Sequence, residues 1–299
     1  MESRNESVIP TRSCTDLDKE LTSLLNDGYR LDMIMPADDP HTALLSRNEQ
    51  QVRITTNPQS EIRNPKSGRG RAGMEYRDLI PDRAGGRLIA SHIRIKKAGE
   101  VPDYVHFHKL RFQMIYCKAG WVRVVYEDQG KPFVMNAGDC VLQPPEIRHR
   151  VLEASRGAEV IEISAPAEHE TWVDHDLALP TESLKPDREF GGQKFVRHAA
   201  DDVPWYTEGT VEYRDTGILR ASGGFADVRV ARLQENQRTR IHRGEPTFVF
   251  VLLGEVGFSC SDKAGRLAEG DSIILPAEYE TNLTSVSKSE LLEVRFHDL

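Results

Sequence analysis

The sequence lacks the features that mark membrane, secreted and nucleic-acid-binding proteins. No apolar run approaches the roughly 20 residues that a helix needs to cross a bilayer, and the N-terminal stretch MESRNESVIPTRS has no apolar signal-peptide core. The net charge of −8 offers no generally basic surface to nucleic acid. We therefore expect a cytoplasmic protein that binds neither membranes nor nucleic acid.

Cysteine is scarce, and its spacing excludes two further classes. The 299 residues contain four cysteines and no CxxC pair, so neither the disulfide framework of a small secreted domain nor a Cys-rich zinc site is present. Cys117 and Cys140 lie in apolar, strand-like runs. We expect them to be buried free thiols.

Phosphate-binding motifs are missing as well. The sequence has no GxxxxGK[ST] and no GxGxxG that leads into a helix. Residues 57–73 are rich in Gly, Pro and Arg and include Lys66, Arg69 and Arg71. We interpret this stretch as an exposed linker.

HETWVDH, residues 169–175, resembles a metalloprotease motif only superficially. HExxH needs two histidines four residues apart on a helix, and here they are six apart. We expect His169, Glu170 and His175 on a loop surface, with a lid over a binding site as the alternative.

The first 66 residues differ from the rest. DLDKELTSLLND, residues 16–27, spaces its leucines as a helix does, with Thr15 as a candidate N-cap and Gly28 as a stop. YRLDMIM and QQVRITT predict short strands, and PADDPHTALLSRNE between them holds turn formers. These patterns predict a small α/β extension.

From about residue 87 the pattern is typical of a β-sandwich or barrel: short runs of Val, Ile and aromatic residues separated by turns. Residues 168–210 predict connections, after which the β pattern returns. FQMIYCKAGWVRVVY aligns with PTFVFVLLGEVGFSC, and AGDCVLQPPEIRHR aligns with EGDSIILPAEYETN. Two copies of one β unit are the simplest account.

HFHKLRFQ, residues 106–113, is the strongest candidate site. His106 and His108 share one face of an extended strand, Gln113 opens the next strand, and His149 follows a GD…P turn. If these strands are neighbours, three imidazoles and one amide oxygen converge. Such ligands suit Zn, Fe, Ni and Cu and, less selectively, Mn, and they leave the full +2 charge to polarise a substrate or water.

The spacing of these residues resembles the two motifs of the cupin superfamily. Gln113 stands where most members have Glu, and Gly99 lies one residue further from the first histidine than the motif has it. The resemblance covers residues 87–165 and, more loosely, residues 225–297. The matching positions are Gly99, His106, His108, Gln113 and Gly120 in the first motif, and Gly138, Pro144 and His149 in the second.

The resemblance implies an all-β fold: a bicupin, with two double-stranded β-helix (jelly-roll) barrels after a small N-terminal α/β extension. Residues 1–66 would be the extension and linker, residues 67–178 the first, metal-binding barrel, and residues 179–299 a linker and a degenerate second barrel. It also implies a homodimer.

The resemblance further implies His106, His108 and His149 as ligands of a divalent metal ion. Iron is the first choice, with zinc, manganese or nickel as alternatives. Gln113 would be a weak fourth ligand or a donor that orients substrate, because Gln cannot act as a base near neutral pH.

The expected function is dioxygenase-type chemistry on a small enol, diketone or phenolic substrate. Two alternatives stay open: a non-catalytic module that binds or senses a small molecule, and a metal-dependent isomerase or lyase.

The second copy has a poorer set of candidate ligands. Arg240, His242, Thr247 and Thr281 stand opposite the four site residues of the first copy, so one imidazole remains of three. We expect a packing and dimerisation domain, with Arg240 pointing inward to grip a carboxylate as the alternative.

Strand alternation from Gln113 predicts that Ile115 and Cys117 face the inside of the first barrel and that Tyr116 packs between sheets or subunits. Gln143, Tyr126 and Arg111 are further candidates for the cavity wall.

Overall fold

The computed structural model describes residues 9–56, 67–69, 74–241, 244–261 and 263–299. Strands make up 53% and helices 8% of the structure, which confirms the all-β prediction. No helix in the described ranges is long and apolar enough to span a membrane. Most of the stretch interpreted as a linker, including Lys66 and Arg71, lies outside these ranges.

The elements fall into three groups along the chain. The extension contains β1 (Thr11–Cys14), α1 (Leu17–Asn26), β2 (Arg30–Met35), β3 (Thr42–Arg47) and β4 (Gln50–Thr56). The first barrel contains β5 (Ser67–Arg69), β6 (Glu75–Asp78), a 3-10 helix (Pro81–Ala84), β7 (Ile89–Ile95), β8 (Gly99–Glu100), β9 (His106–Lys109), β10 (Phe112–Ala119), β11 (Trp121–Tyr126), β12 (Phe133–Asn136), β13 (Cys140–Leu142), β14 (His149–Ala154), β15 (Ala158–Ala165) and β16 (Glu170–Val173). The connection and second barrel contain β17 (Glu189–Phe190), β18 (Gln193–Lys194), β19 (Val196–His198), a 3-10 helix (Ala200–Asp202), β20 (Tyr206–Glu208), β21 (Val211–Asp215), α2 (Ile218–Ala221), β22 (Ala226–Leu233), β23 (Arg238–Ile241), β24 (Thr247–Leu253), β25 (Glu255–Cys260), β26 (Lys263–Ala268), β27 (Ser272–Leu275), β28 (Thr281–Ser285) and β29 (Ser289–Phe296).

The extension corrects two predictions. The N-cap of α1 is Asp16 and not Thr15, because the Asp16 carboxylate accepts the backbone N–H of Lys19 at 3.0 Å. The stretch assigned to turns contains β3, whose Leu44 and Leu45 are buried between β2 and β4. Burial of these leucines stabilises the strand more than the turn-forming residues on either side favour a turn.

The extension continues a barrel sheet. The sheet runs β1-β4-β3-β2-β16-β9-β14-β11-β12, and β2 pairs with β16. The expected loop at 169–175 is therefore wrong in part, because Glu170–Val173 forms a strand between β2 and β9. Residues 168–210, expected to be connections, also contain the short strands β17 to β20.

A second sheet, β19-β13-β10-β15-β7-β6-β5, faces the first and completes the first barrel. Alternate residues of β10 point to different cores. Ile115 and Cys117 belong to the cluster inside the barrel, whereas Tyr116 belongs to the cluster between the barrels. Cys117 and Cys140 are buried free thiols, as predicted, and burial raises the pKa of Cys117 to about 12.

The second barrel is built from the sheets β20-β21-β22-β29-β24-β27 and β23-β28-β25-β26. It packs on the first through one shared apolar cluster. Phe112 of β10 stacks on Phe225, with ring centroids 5.2 Å apart, and Phe248 and Phe250 of β24 are fully buried. Burying each such side chain contributes about 1.5–3 kcal/mol.

Arg240 does not point into the second barrel, so that alternative is wrong. Its side chain is 58% exposed and lies 3.4 Å from Glu280. Its neighbours Thr239 and Ile241 are buried, because successive residues of a strand face opposite sides.

Among the described residues, the candidate ligand positions of the second barrel form no metal-binding group of side chains. Thr247 and Thr281 are buried, and His242 lies outside the described residues. Among the described residues of this barrel, Arg229 is a largely buried cation, and it pairs with the buried carboxylate of Glu293 at 2.8 Å.

Candidate metal centre

Three imidazoles meet inside the first barrel. His106 of β9 and His149 of β14 are direct cross-strand partners, and His108 follows on the same face of β9. All three are buried, and their ligand nitrogens lie within 4.8 Å of one another. Among the described residues, no other group of three or more His, Cys, Asp or Glu side chains approaches so closely.

Each of the three rings is held through Nδ1 by an oxygen of the protein. The contacts are His106 Nδ1 with the Tyr104 carbonyl at 2.8 Å, His108 Nδ1 with Thr171 Oγ1 at 2.8 Å, and His149 Nδ1 with the Ile147 carbonyl at 3.0 Å. Outer hydrogen bonds of this kind fix the tautomer and orientation of metal-binding histidines. They leave Nε2 of each ring as the ligand atom, although His149 Nε2 also contacts Gln143 Nε2 at 3.4 Å.

Thr171 provides a test of this support. Replacing Thr171 with Val keeps the volume of the buried side chain but removes the hydroxyl that contacts His108. We expect metal affinity to fall about 10–100-fold, measured by competition with a chelator. Thr207→Val, on the exposed strand β20, should bind metal as the wild type does. Equal affinities in the two variants would contradict the role given to Thr171.

Gln113 is buried beside the cluster in a short amide chain. Its Oε1 accepts a hydrogen bond from Gln143 Nε2 at 2.8 Å, and Gln143 Oε1 accepts one from the Tyr126 hydroxyl at 2.5 Å. Gln113 Nε2 is buried without a partner among the described residues. An amide oxygen has two lone pairs, so Gln113 Oε1 can accept this bond and still bind a metal, and the role of fourth ligand stays a prediction. The observed orientation offers a donor.

Tyr126 is a reliable donor to this chain. Burial, with a smaller contribution from Glu162, raises the pKa of the phenol far above its ordinary value. The hydroxyl is therefore protonated at neutral pH. Arg111, another candidate for the wall, instead pairs with Asp298 at the surface.

A mainly apolar cavity adjoins the imidazoles. Its polar lining residues are His108, His149, Gln143, Tyr126, Tyr76 and Glu162, and the others are Val, Ile and Met. The lining residues within the described ranges include no Arg or Lys. Such a wall suits a substrate with an apolar body.

Two carboxylates near the site were missed in the sequence. Glu162 lies on β15 in AEVIEISA, where strand alternation places it on the same inward face as Val160. A charged residue at a strand position that faces the barrel interior is a signal that could have identified Glu162 from the sequence. Asp103 is buried with Oδ1 3.8 Å from His106 Nδ1, and nothing in the sequence around it indicates this position.

His169 is not on the surface, contrary to expectation. It is 7% exposed, and its ring centroid lies 5.3 Å from that of His108. Burial lowers the pKa of His169. His175, at the other end of the stretch, is exposed as expected and contacts the Leu31 carbonyl at 2.9 Å.

Two β-barrels in one chain, with a three-histidine cluster in the first, form the bicupin fold that the sequence predicted. No family model and no curated protein matches the sequence. Several solved structures share the fold. Salicylate 1,2-dioxygenase from Pseudaminobacter salicylatoxidans is 15% identical, with a TM-score of 0.56 over 73% of this chain and 75% of that one.

Oxalate decarboxylases share the fold too. The Lactobacillus farciminis enzyme, in a formate complex, is 14% identical, with a TM-score of 0.56 over 81% of this chain and 85% of that one. A variant of the Bacillus subtilis enzyme is 13% identical, with a TM-score of 0.56 over 80% and 75% of the two chains. At these identities the likeness describes the fold.

Proposed function

We propose that this chain is a metal-dependent enzyme that acts on a small organic molecule, by dioxygenase-type chemistry at iron on an enol, diketone or phenolic substrate. The observation that carries the proposal is the cluster of three buried imidazoles, two of which, His108 and His149, line an otherwise mainly apolar cavity.

The donor set fits a divalent metal ion. His106, His108 and His149 would hold it, and none of these ligands carries a negative charge to offset that of the ion. When bound, the metal would supply a Lewis acid and, as iron, a redox centre for reaction with O₂.

The other residues would bind and orient the substrate. Gln113, fixed by Gln143 and Tyr126, would donate its Nε2 hydrogen to a substrate oxygen. The apolar wall would exclude water from the reacting atoms. The cavity volume is about 60 Å³, below the roughly 300–1,000 Å³ that is typical of ligand pockets. A phenolic ring would therefore enter only as the wall shifts, and the unbranched side chains of Met74 and Met135 in the wall can adapt in this way.

The lining of the cavity supports a phenolic substrate over a dicarboxylate. Salicylate, named for one neighbour, is an aromatic molecule with a hydroxyl and a carboxylate. Oxalate, named for the others, is a small dianion, and the described lining residues hold no Arg or Lys to neutralise it. A lyase reaction is therefore the second candidate, and it rests on the fold match alone.

Oxygen uptake tests the proposal. Protein loaded anaerobically with Fe²⁺, Zn²⁺, Mn²⁺ or Ni²⁺ should contain about one metal per chain by elemental analysis. We expect only the iron form to consume O₂ with one or more members of a panel of catechols, hydroxybenzoates, diketones and flavonols, with both atoms of ¹⁸O₂ in the product. CO₂ release from oxalate without O₂ uptake would favour the lyase. Tight binding of panel members without turnover would favour a binding module.

A further inference from the structure

Glu162 is a cavity residue that the proposed function does not yet use. It lies on β15, opposite Ile115 of β10 and Ser91 of β7. It lines the same cavity as His108 and His149. Glu162 therefore belongs to the sheet that faces the histidine-bearing strands.

Glu162 lines the cavity but does not belong to the metal centre. Its carboxylate is not part of the group whose ligand atoms lie within 4.8 Å of one another, which consists of the three histidines. Glu159, three residues earlier, points to the opposite side, where it accepts hydrogen bonds from Arg94 and Lys118. Strand alternation therefore places Glu159 on the outer face of β15 and Glu162 on the face that lines the cavity.

The other polar groups of the described wall are poor proton acceptors. Gln143 is an amide, as is Gln113 behind it. Tyr126 stays protonated, because burial raises its pKa, and the Tyr76 hydroxyl lies 4.0 Å from the sulfur of Met74. In the proposed function the imidazoles bind the metal, so they do not accept the proton of the substrate. Glu162 is the one carboxylate among the described lining residues.

We propose that Glu162 is the proton acceptor that ionises the substrate, which rests on the proposed function above. The substrate class is then a phenol or enol with an acidic O–H. The O–H bond breaks, its electron pair stays on the substrate oxygen, and the proton forms a new O–H bond on the Glu162 carboxylate. Gln113 Nε2 can donate to the resulting oxyanion.

This transfer suits an apolar cavity. The substrate gains one negative charge while Glu162 loses one, so the net charge of the enclosed site does not change. Burying an additional uncompensated anion would be strongly unfavourable. A small neutral phenol or enol can therefore enter and ionise without a cation from the wall.

Proton counting tests the proposal without turnover. The probe is 4-nitrocatechol, whose visible absorption reports its ionisation, added to the zinc-loaded protein at a mildly acidic pH at which the free probe is neutral. Calorimetry in buffers of different ionisation enthalpy gives the number of protons released per bound probe. We expect the wild type to bind the probe as an anion and to release close to none, because Glu162 retains the proton.

Glu162→Gln should keep its zinc and either release about one proton for each anion bound or bind the probe in neutral form. Glu162→Asp should again release close to none. Glu153→Gln, which alters a part-exposed ion pair with Arg123, should match the wild type. If a substrate is found, Glu162→Gln should lower kcat by about 10²–10⁴-fold with a smaller change in KM.

Three results would overturn the proposal: full proton release by the wild type, a wild type that binds no anionic probe, or loss of zinc in Glu162→Gln. The last would make Glu162 a metal ligand. Failure of the dioxygenase proposal is separate, since it would appear as a lack of O₂ uptake by the iron form while the proton count of the zinc form still reports on Glu162.

Discussion

Replacing His149 with Ala is expected to lower metal affinity by more than about 100-fold and to abolish activity. His149 is the cross-strand partner of His106, and their ring centroids are 4.2 Å apart. The variant leaves only His106 and His108, two imidazoles of one strand. Loss of an outer hydrogen bond alone costs about 10–100-fold in metal affinity, so loss of a ligand should cost more. Elemental analysis and chelator competition measure the effect.

The control for this variant is His175→Ala. His175 is exposed and contacts the Leu31 carbonyl, so its removal should leave about one metal per chain. Circular dichroism should show that both variants keep the β fold. A His149→Ala protein that still holds one metal with wild-type affinity would place the metal elsewhere.

Replacing Phe248 with Ala is expected to lower the free energy of unfolding by about 3–5 kcal/mol. Phe248 is fully buried in the cluster between the barrels, together with Phe112 and Met114 of β10. Removing the ring would leave a void in the shared cluster behind β10, the strand that presents Gln113 to the metal centre. The loss of stability should therefore extend to the first barrel, although the substitution is in the second.

Urea denaturation followed by tryptophan fluorescence measures this change. Tyr279→Ala, at a side chain that is 47% exposed, should change the free energy of unfolding by less than about 0.5 kcal/mol. A Phe248→Ala protein within about 1 kcal/mol of the wild type would show that the barrels do not depend on their shared cluster.

Much of the fold could be predicted because its signals are local. The leucine spacing of α1 is helical, and FQMIYCKA alternates between residues that suit two different apolar surfaces. The HxH spacing puts His106 and His108 on one face whatever lies around them. The cupin spacing added His149, which no local pattern connects to the other two.

Two errors in the predicted secondary structure share one physical cause. β3 and β16 were expected to be turns and loop, yet each is a middle strand of a sheet. Pairing on both edges satisfies their backbone N–H and C=O groups, and this prevails over weak local preferences. Thr171, on β16, contacts His108 only because distant segments pair.

The sequence by itself determined the β repeat, the two motif-bearing strands and the donor types available for a metal, because each depends on residue type and short spacing. Only the tertiary structure decided which buried groups surround them: Glu162 in the cavity, His169 beside His108, and the amide of Gln113 turned by Gln143. These positions depend on the register and closure of sheets between residues far apart in the chain, which alternation along one strand does not specify.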